Sequence, residues 1–353
     1  MSPGNGVDPV GAALEAAGVG EGRTVRRLPL TGGTYNTVVR VTLDDGRDWV
    51  VKIPPAPAVG LSYEQNLLKG EVTFYASAAA LREPVLPEIV HSELDPAATP
   101  GPHLIMTTRE GAPWHEAEGS LSAGEARRLR EDLGRLIGRL HAVTGPGYGY
   151  PAGQLGPLAR TWRQAFTTMT DALLADAERY AARLPCPVAE IREIFSAARD
   201  VLDDVTRPAL VHFDLWQGNL LIAGAPGART LSGVIDGERM FWGDPVADFV
   251  STALFGNIEE DEDFLAGYAA TGGPVRFDAS LRRRLAFYRS YLYLIMLVEV
   301  VPRQYGPDHR EWTWSHAGPQ LVRALEELEP AGPDSVRNRE EGGAVVENNS
   351  RFN

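Results

Sequence analysis

Cysteine is nearly absent from this sequence, since Cys186 is the only one among 353 residues. A single thiol excludes a disulfide within the chain and a metal centre built from several cysteines. Long apolar runs are absent too: the longest, 291–301, contains Glu299 and is too short to cross a bilayer. The chain opens without a basic segment followed by an apolar one, so no secretory signal is recognised. We therefore expect a cytoplasmic protein that does not insert into membranes.

Basic residues are outnumbered, with 34 Lys and Arg against 47 Asp and Glu and a net charge of −13. Such a chain is poorly suited to binding nucleic acid through a general basic surface. The acidic balance suits a cationic small substrate, although a surface charged for solubility explains it as well. A hydrophobic content of 44% is ordinary for a globular protein, and the length suffices for two lobes around a cleft. Nothing in the composition indicates an oligomeric state.

The first hundred residues have the pattern of an antiparallel sheet with one main helix. Five short β-type segments are predicted, at 25–30, 37–43, 49–53, 89–94 and 103–107. The second and third are joined by an Asp/Gly turn typical of hairpins. The helix is expected from Ser62, where Ser62–Gln65 fits a capping box, to about Leu81.

From Thr108 onward, apolar residues recur mainly at helical spacing. We predict an α+β protein with two lobes. The N-terminal lobe, 9–108, holds the five-stranded antiparallel sheet and binds nucleotide, and the C-terminal lobe, 109–330, is mostly helical and contains a catalytic hairpin. Residues 1–8 and 331–353 have little apolar content and are predicted to be disordered.

Polar residues follow two apolar segments in the second half of the chain. His212 and Asp214 come after one, with Asn219 five residues beyond Asp214, and Asp236 ends the other. A carboxylate such as Asp214 can orient a hydroxyl and accept its proton while a new bond forms. Oxygen atoms of Asn219 and Asp236 suit Mg²⁺, provided that a hairpin brings them together. These are the minimal parts for phosphoryl transfer to a hydroxyl, with His212 expected to fix the loop backbone.

Two further carboxylates lie shortly after Asp236. Glu238 is expected either to point to the same side as Asp236 or to be a solvated turn residue, and the sequence leaves both open. Asp248 lies near a predicted helix start. We expect its side chain to form a structural hydrogen bond to the catalytic loop rather than to contact a ligand.

Lys52 ends the third predicted strand, where a buried cation would be costly unless it is paired. It is expected to contact the α- and β-phosphates of a nucleotide and to pair with a glutamate of the following helix. Glu71 is preferred, because it lies mid-helix on a face expected to turn inward. Glu64 is the alternative, but its place in the first helical turn suits the helix dipole instead.

The remaining nucleotide contacts are predicted on loops. Gly32, Gly33 and Thr34 lie between the first two strands, upstream of the strand lysine, where a flexible turn could cover phosphates. The turn matches neither GxGxxG nor GxxxxGK[ST], and a simple Gly-Gly hairpin explains it equally. Backbone groups around Thr107 and Arg109 are expected to meet the base.

Taken together, these motifs resemble the aminoglycoside phosphotransferase superfamily, the small-molecule relatives of eukaryotic-like protein kinases. The resemblance extends over about 20–325 and is most specific in HFDLWQGN at 212–219 and VIDGE at 234–238. It implies a bilobal protein-kinase-like fold with ATP or GTP in the cleft. It also implies Asp214 as the catalytic base and Mg²⁺ bound by Asn219 and Asp236.

The chain departs from the family pattern at Phe213, where glycine is usual, and at Gly237, where many members carry an aromatic residue. The resemblance implies a Mg²⁺-dependent kinase that transfers the γ-phosphate of ATP or GTP to a hydroxyl of a small molecule. An aminoglycoside-like amino-sugar is the first expectation for this acceptor. Asp214-Leu215-Trp216 also resembles the fructosamine-kinase branch, so a kinase of a fructosamine, sugar or amino alcohol is the alternative. A non-catalytic nucleotide-binding pseudokinase is the alternative from another class.

Overall fold

A computed structural model describes residues 8–30, 36–55 and 60–329 of the chain. The disorder predicted for 331–353 concerns residues outside these ranges, as does the disorder predicted for 1–8 except at Asp8. Asp8 instead caps the first helix, α1 (Pro9–Ala16), where its carboxylate accepts a hydrogen bond from the Val10 amide at 3.2 Å.

The N-terminal part of the chain forms one antiparallel sheet. Its strands are β1 (Thr24–Pro29), β2 (Thr37–Leu43), β3 (Asp48–Ile53), β4 (Ile89–Glu93) and β5 (His103–Thr107). They pair in the order β1-β2-β3-β5-β4, which confirms the predicted five-stranded antiparallel sheet. Alternate side chains such as Val41 and Val51 are buried beneath α1, as the two-residue period of a strand requires.

The main helix of this part, α2 (Leu67–Ala78), begins later than the predicted start at Ser62. Residues Ser62–Glu64 form a separate 3₁₀ turn, and Asn66 follows in the left-handed conformation with φ 63°. A left-handed residue cannot continue a right-handed helix. The Ser62 hydroxyl donates instead to Asp176 at 2.8 Å, a contact across 114 residues that local sequence does not reveal.

Helices and short strands make up the rest of the described chain, confirming the α+β class. The helices are α3 (Trp114–Ala117), α4 (Ala123–His141), α5 (Trp162–Arg179), α6 (Val188–Ala198), α7 (Asp248–Thr252), α8 (Glu262–Gly272), α9 (Ala279–Glu299) and α10 (Pro307–Leu328). The strands are β6 (Ala112–Pro113), β7 (Ala209–Val211), β8 (Leu220–Ala223), β9 (Thr230–Val234) and β10 (Phe241–Gly243). Strands β8 and β9 form the predicted hairpin, and β7 pairs with β10. Within these ranges, no helix has the length and apolar character needed to span a bilayer.

Helix α4 shows how the helical part supports the loop that carries Asp214. It begins at a capping box, in which Ser122 Oγ accepts from the Glu125 amide and the Glu125 carboxylate accepts from the Ser122 amide. It packs closely on α8 because Gly134 has no side chain: a Cβ there would lie 2.1 Å from the carbonyl oxygen of Phe264. This packing fixes the end of α4, where His141 is buried.

Candidate active site

The loop after β7 carries the predicted catalytic residues, and Asp248 holds it from below. The Asp248 carboxylate accepts hydrogen bonds from the backbone amides of His212 at 3.1 Å and Phe213 at 2.6 Å. It also accepts from His141 Nε2 at 2.9 Å. A fully buried carboxylate with three donors is a strong anchor, because each hydrogen bond offsets part of its desolvation. Asp248 therefore forms the predicted structural hydrogen bonds to the loop that carries Asp214.

His212 joins the two polar motifs and has no nitrogen left for chemistry. Its Nδ1 accepts a hydrogen bond from the Asp214 amide at 3.2 Å, so Nε2 carries the proton and donates to the Ile235 carbonyl at 3.1 Å. Burial lowers the pKa of His212, which keeps the ring neutral in this arrangement. The side chain consequently ties the Asp214 loop to the segment that carries Asp236.

The two departures from the family pattern have structural reasons. Phe213 adopts φ 63°, a conformation that favours glycine, yet its ring is fully buried and lies 5.0 Å from that of Phe241. Gly237 faces α2 at close range, since a Cβ there would lie 2.7 Å from the ring of Phe74. An aromatic residue at 237 would therefore displace the helix that carries Glu71.

Lys52 and Glu71 form the ion pair that the sequence predicts. Lys52 Nζ lies 2.8 and 2.9 Å from the two carboxylate oxygens of Glu71 and 2.6 Å from Asp236 Oδ1. Burial works against the charge of Lys52, but Asp236, Glu71 and Glu238 together hold its pKa well above the usual value. Glu64, the alternative partner, instead forms an ion pair with Arg303.

Glu238 is buried, which excludes the solvated-turn interpretation. Its carboxylate accepts a hydrogen bond from Asn36 Nδ2 at 2.7 Å. One carboxylate oxygen from each of Glu71, Asp236 and Glu238 lies within 4.8 Å of the other two. Burial and the nearby Asp236 raise the pKa of Glu238 to about 8. Glu71 and Asp236 already outnumber the single lysine, and a bound cation would in addition favour the ionised form of Glu238.

Asn219 is positioned to complete this oxygen-rich group. Its side-chain Nδ2 donates to the Asp214 carbonyl at 2.9 Å, which leaves Oδ1 for another partner. Its own carbonyl accepts from the Ile235 amide at 3.0 Å, so the hairpin brings it next to the segment that contains Asp236. Amide and carboxylate oxygens are hard ligands that Mg²⁺ prefers, so Asn219, Asp236 and Glu238 fit that ion. Both Glu71 oxygens are occupied by Lys52.

Asp214 has a basic neighbour that the sequence analysis missed. Arg239 Nε lies 3.7 Å from Asp214 Oδ2, and its terminal nitrogen donates to Glu299 at 2.8 Å. Burial raises the pKa of Asp214, and Arg239 offsets only part of this effect. A carboxylate with increased proton affinity is suited to accept a proton from a hydroxyl. In the sequence, such a basic neighbour is indicated by Glu299, because it is an isolated charge in the longest apolar run and requires a partner.

The predicted base-binding residues lie at the end of the sheet. Thr107 ends β5, and its Oγ1 accepts hydrogen bonds from the Glu88 amide at 2.9 Å and from Arg109 at 2.8 Å. Arg109 also donates to the Leu86 carbonyl at 3.0 Å. Its guanidinium group therefore binds the end of the sheet and makes no hydrogen bond to the group formed by Lys52, Glu71 and Asp236. The predicted phosphate-covering residues Gly32, Gly33 and Thr34 lie outside the described residues.

A cavity of about 400 Å³ is lined by the segments that carry Asp214 and Asp236 and by helices of the C-terminal part. Its lining includes Asp214, Asn219, Asp236 and Glu238 as well as side chains of α9 and α10. Asp214 and the oxygen-rich group thus face the same cavity. This is the arrangement required to bring a hydroxyl next to a metal-bound phosphate.

Comparison with known proteins agrees with this geometry. The model of the phosphotransferase enzyme family matches residues 26–288 of the chain. The chain belongs to this family. The family resemblance predicted from the motifs is therefore confirmed.

The sequence also resembles two curated proteins. One, named "Probable ketoamine kinase", from Lactiplantibacillus plantarum, is 29% identical over 192 residues, 52% of this chain and 64% of that protein. Another of that name, from Vibrio vulnificus, is 30% identical over 96 residues, 27% of this chain and 30% of the relative.

The solved structures similar to this phosphotransferase-family chain confirm the kinase-like fold. A protein assigned as a fructosamine-3-kinase, from Thermobifida fusca, aligns with a TM-score of 0.64 at 19% identity, covering 92% of this chain and 99% of the other. A thermostable mutant of aminoglycoside phosphotransferase APH(4)-Ia, in complex with AMP-PNP and hygromycin B, aligns with a TM-score of 0.58 at 16% identity. That alignment covers 87% of this chain and 95% of the mutant. The sequence matches to the two ketoamine-kinase relatives, in contrast, cover less than two thirds of the length of each relative.

Proposed function

We propose that this protein is a Mg²⁺-dependent kinase that transfers the γ-phosphate of ATP or GTP to a hydroxyl of a small molecule. The observation that carries the proposal is that Asp214 and Asp236 line one cavity. Asp236 is bound in turn to Lys52, which Glu71 holds from the other side. This combination of a paired lysine, metal-binding oxygens and a carboxylate base suits phosphoryl transfer.

Each residue of this chain has a defined task in the proposed reaction. Lys52 binds phosphate oxygens of the nucleotide, and Glu71 keeps its ammonium group in place. Asp214 orients the acceptor hydroxyl and accepts its proton as the oxygen–phosphorus bond forms. The bond from the γ-phosphorus to the bridging oxygen breaks, and the nucleoside diphosphate leaves with that electron pair. When bound by Asn219, Asp236 and Glu238, Mg²⁺ supplies positive charge to the phosphates.

Arg239 and Asp248 have positioning roles in this proposal. Asp248 fixes the backbone of the catalytic loop through the His212 and Phe213 amides. Arg239 restrains the Asp214 carboxylate and is itself held by Glu299.

We also propose that a boundary between two lobes falls at 108/109, after β5. The protein works, in this proposal, in the cytoplasm, where nucleotides are available.

The acceptor belongs, in this proposal, to small hydroxylated amines. One structural relative is described in complex with hygromycin B, and the curated relatives are named as ketoamine kinases. An amino-sugar and a ketosamine are therefore the two starting classes. The non-catalytic alternative is disfavoured, because Asp214, Asn219 and Asp236 line one cavity and Lys52 is paired with Asp236.

The test compares Asp214→Ala with Asp171→Ala, an exposed aspartate on α5 that serves as the matched control. Calorimetry with Mg²⁺ and either nucleotide measures binding, and phosphate transfer to a panel of amino-sugars, ketosamines and amino alcohols measures turnover. We expect Asp214→Ala to bind nucleotide but to lose turnover by a factor of about 10² or more. Full turnover in Asp214→Ala would contradict the mechanism, and absence of nucleotide binding by the native protein would contradict the function.

A further inference from the structure

The side of the cavity that α9 and α10 form is mainly apolar and aromatic. Helices α9 and α10 and the loop before α10 form most of this wall. Its apolar and aromatic lining residues include Leu254, Leu292, Met296, Val300, Tyr305 and Trp312. Trp216 also lines the cavity, from the loop next to Asn219. Apolar walls with a few fixed polar groups are typical of sites that bind uncharged rings of small molecules.

The charges at this end of the cavity are already compensated. Of the described lining residues, Glu299 is the only carboxylate on this side, and it lies 2.8 Å from Arg239 and 3.3 Å from Arg303. The other lining carboxylates, at positions 214, 236 and 238, face the reacting phosphate. A ligand with several ammonium groups would lose hydration here without gaining a carboxylate partner, which is strongly unfavourable.

The acidic run at 259–263 does not supply that partner. Glu259 forms an ion pair with Arg282 at 2.8 Å, and Asp261 forms one with Arg130. No residue of this run is among the described residues that line the cavity. This acidic run is thus not directed at the cavity.

Two partly exposed indole rings stand at the cavity with their orientation fixed. Trp312 is 46% exposed and stacks on His316, with ring centres 4.4 Å apart. Trp216 is 39% exposed and stacks on His115 at 5.4 Å. An indole that is held by a stacked ring and remains partly exposed provides a surface for a planar or apolar group.

We propose that the acceptor carries its reactive hydroxyl on a molecule with an aromatic or apolar ring and with at most one positive charge. The hydroxyl lies at Asp214, and the ring packs between the α9 side chains Leu292 and Met296 and the indole of Trp312. This inference rests on the proposed kinase function. It separates singly charged ring-bearing acceptors from polycationic amino-sugars.

The test uses three acceptors with Mg²⁺ and nucleotide: the phenyl glycoside of a sugar with a single amino group, the methyl glycoside of the same amino-sugar, and a tetra-amino aminoglycoside. We expect kcat/KM to be at least about tenfold higher for the phenyl than for the methyl compound. Trp312→Ala should reduce this ratio, whereas Trp314→Ala should not. Trp314 is the matched control on the same helix, because it stacks on Arg183 at 3.7 Å and does not line the cavity.

Binding of the same three compounds to the protein with Mg²⁺ and nucleoside diphosphate, measured by saturation-transfer NMR, gives a readout that is independent of turnover. Stronger saturation of the phenyl compound, lost in Trp312→Ala, supports the inference. Equal binding and turnover of phenyl and methyl compounds, or preference for the aminoglycoside, overturns the inference and leaves the kinase function standing. Failure to bind Mg²⁺ and nucleotide by calorimetry overturns the kinase function itself.

Discussion

Replacing Phe213 separates two opposing contributions of a single residue in the catalytic loop. Its φ of 63° costs a residue other than glycine about 1–2 kcal/mol. Its ring is fully buried, 5.0 Å from the ring of Phe241 and 5.7 Å from that of Tyr291, and loss of such a ring costs about 3–5 kcal/mol. Packing therefore outweighs backbone strain, which explains how the loop tolerates phenylalanine where glycine is usual in the family.

The expected order of stability is native protein, then Phe213→Gly, then Phe213→Ala. Glycine relieves the left-handed strain, but its greater freedom in the unfolded chain lowers stability by about 0.5–1 kcal/mol. The free energy of unfolding of Phe213→Gly should therefore exceed that of Phe213→Ala by about 0.5–1 kcal/mol. Urea unfolding followed by circular dichroism gives the midpoints. Phe249, fully buried in α7, is the matched control, and there glycine should be less stable than alanine. The same order at both positions, or native-like stability of Phe213→Ala, would refute the reasoning.

Three further predictions concern the polar groups. Lys52→Met leaves Glu71 and Asp236 without their cation, so calorimetry should give at least about tenfold weaker nucleotide binding, whereas exposed Lys69→Met should bind normally. Asp248→Asn loses the charge that accepts three hydrogen bonds. Thermal unfolding should therefore show a free energy of unfolding lower by about 2–4 kcal/mol, and kcat should fall as well. Arg239→Met removes the cation that offsets burial of the catalytic carboxyl, so the pKa of Asp214 should rise further. Because only the deprotonated carboxylate accepts a proton, the acid limb of the kcat profile should move to higher pH, and Arg239→Lys should move it less.

The sheet and the hairpin could be predicted from sequence because both depend on local patterns. Two-residue alternation and short turns define the five strands, and the Ser122 capping box defines the start of α4. The start of α2 could not be predicted in this way. Asn66 interrupts the helix in a left-handed conformation, and Ser62 binds Asp176, which lies 114 residues away.

Residues of the site could be predicted where the chemistry requires a particular type at a particular spacing. Asp214, Asn219 and Asp236 belong to this group, as does Lys52 with its glutamate partner. The position of Glu238 could not be decided, because its burial depends on α2 packing against the turn at 237–239. The Arg239, Glu299 and Arg303 network was missed, since it joins segments about 60 residues apart and only an isolated charge in an apolar run indicates it.

The most direct test of phosphoryl transfer is a ³¹P NMR time course of the purified protein with Mg²⁺, ATP or GTP, and the panel of hydroxylated acceptors. The account predicts a growing phosphomonoester signal that equals the nucleoside diphosphate formed and that is absent in Asp214→Ala. Nucleotide that binds but stays intact with every acceptor, or that yields only inorganic phosphate, would contradict the account.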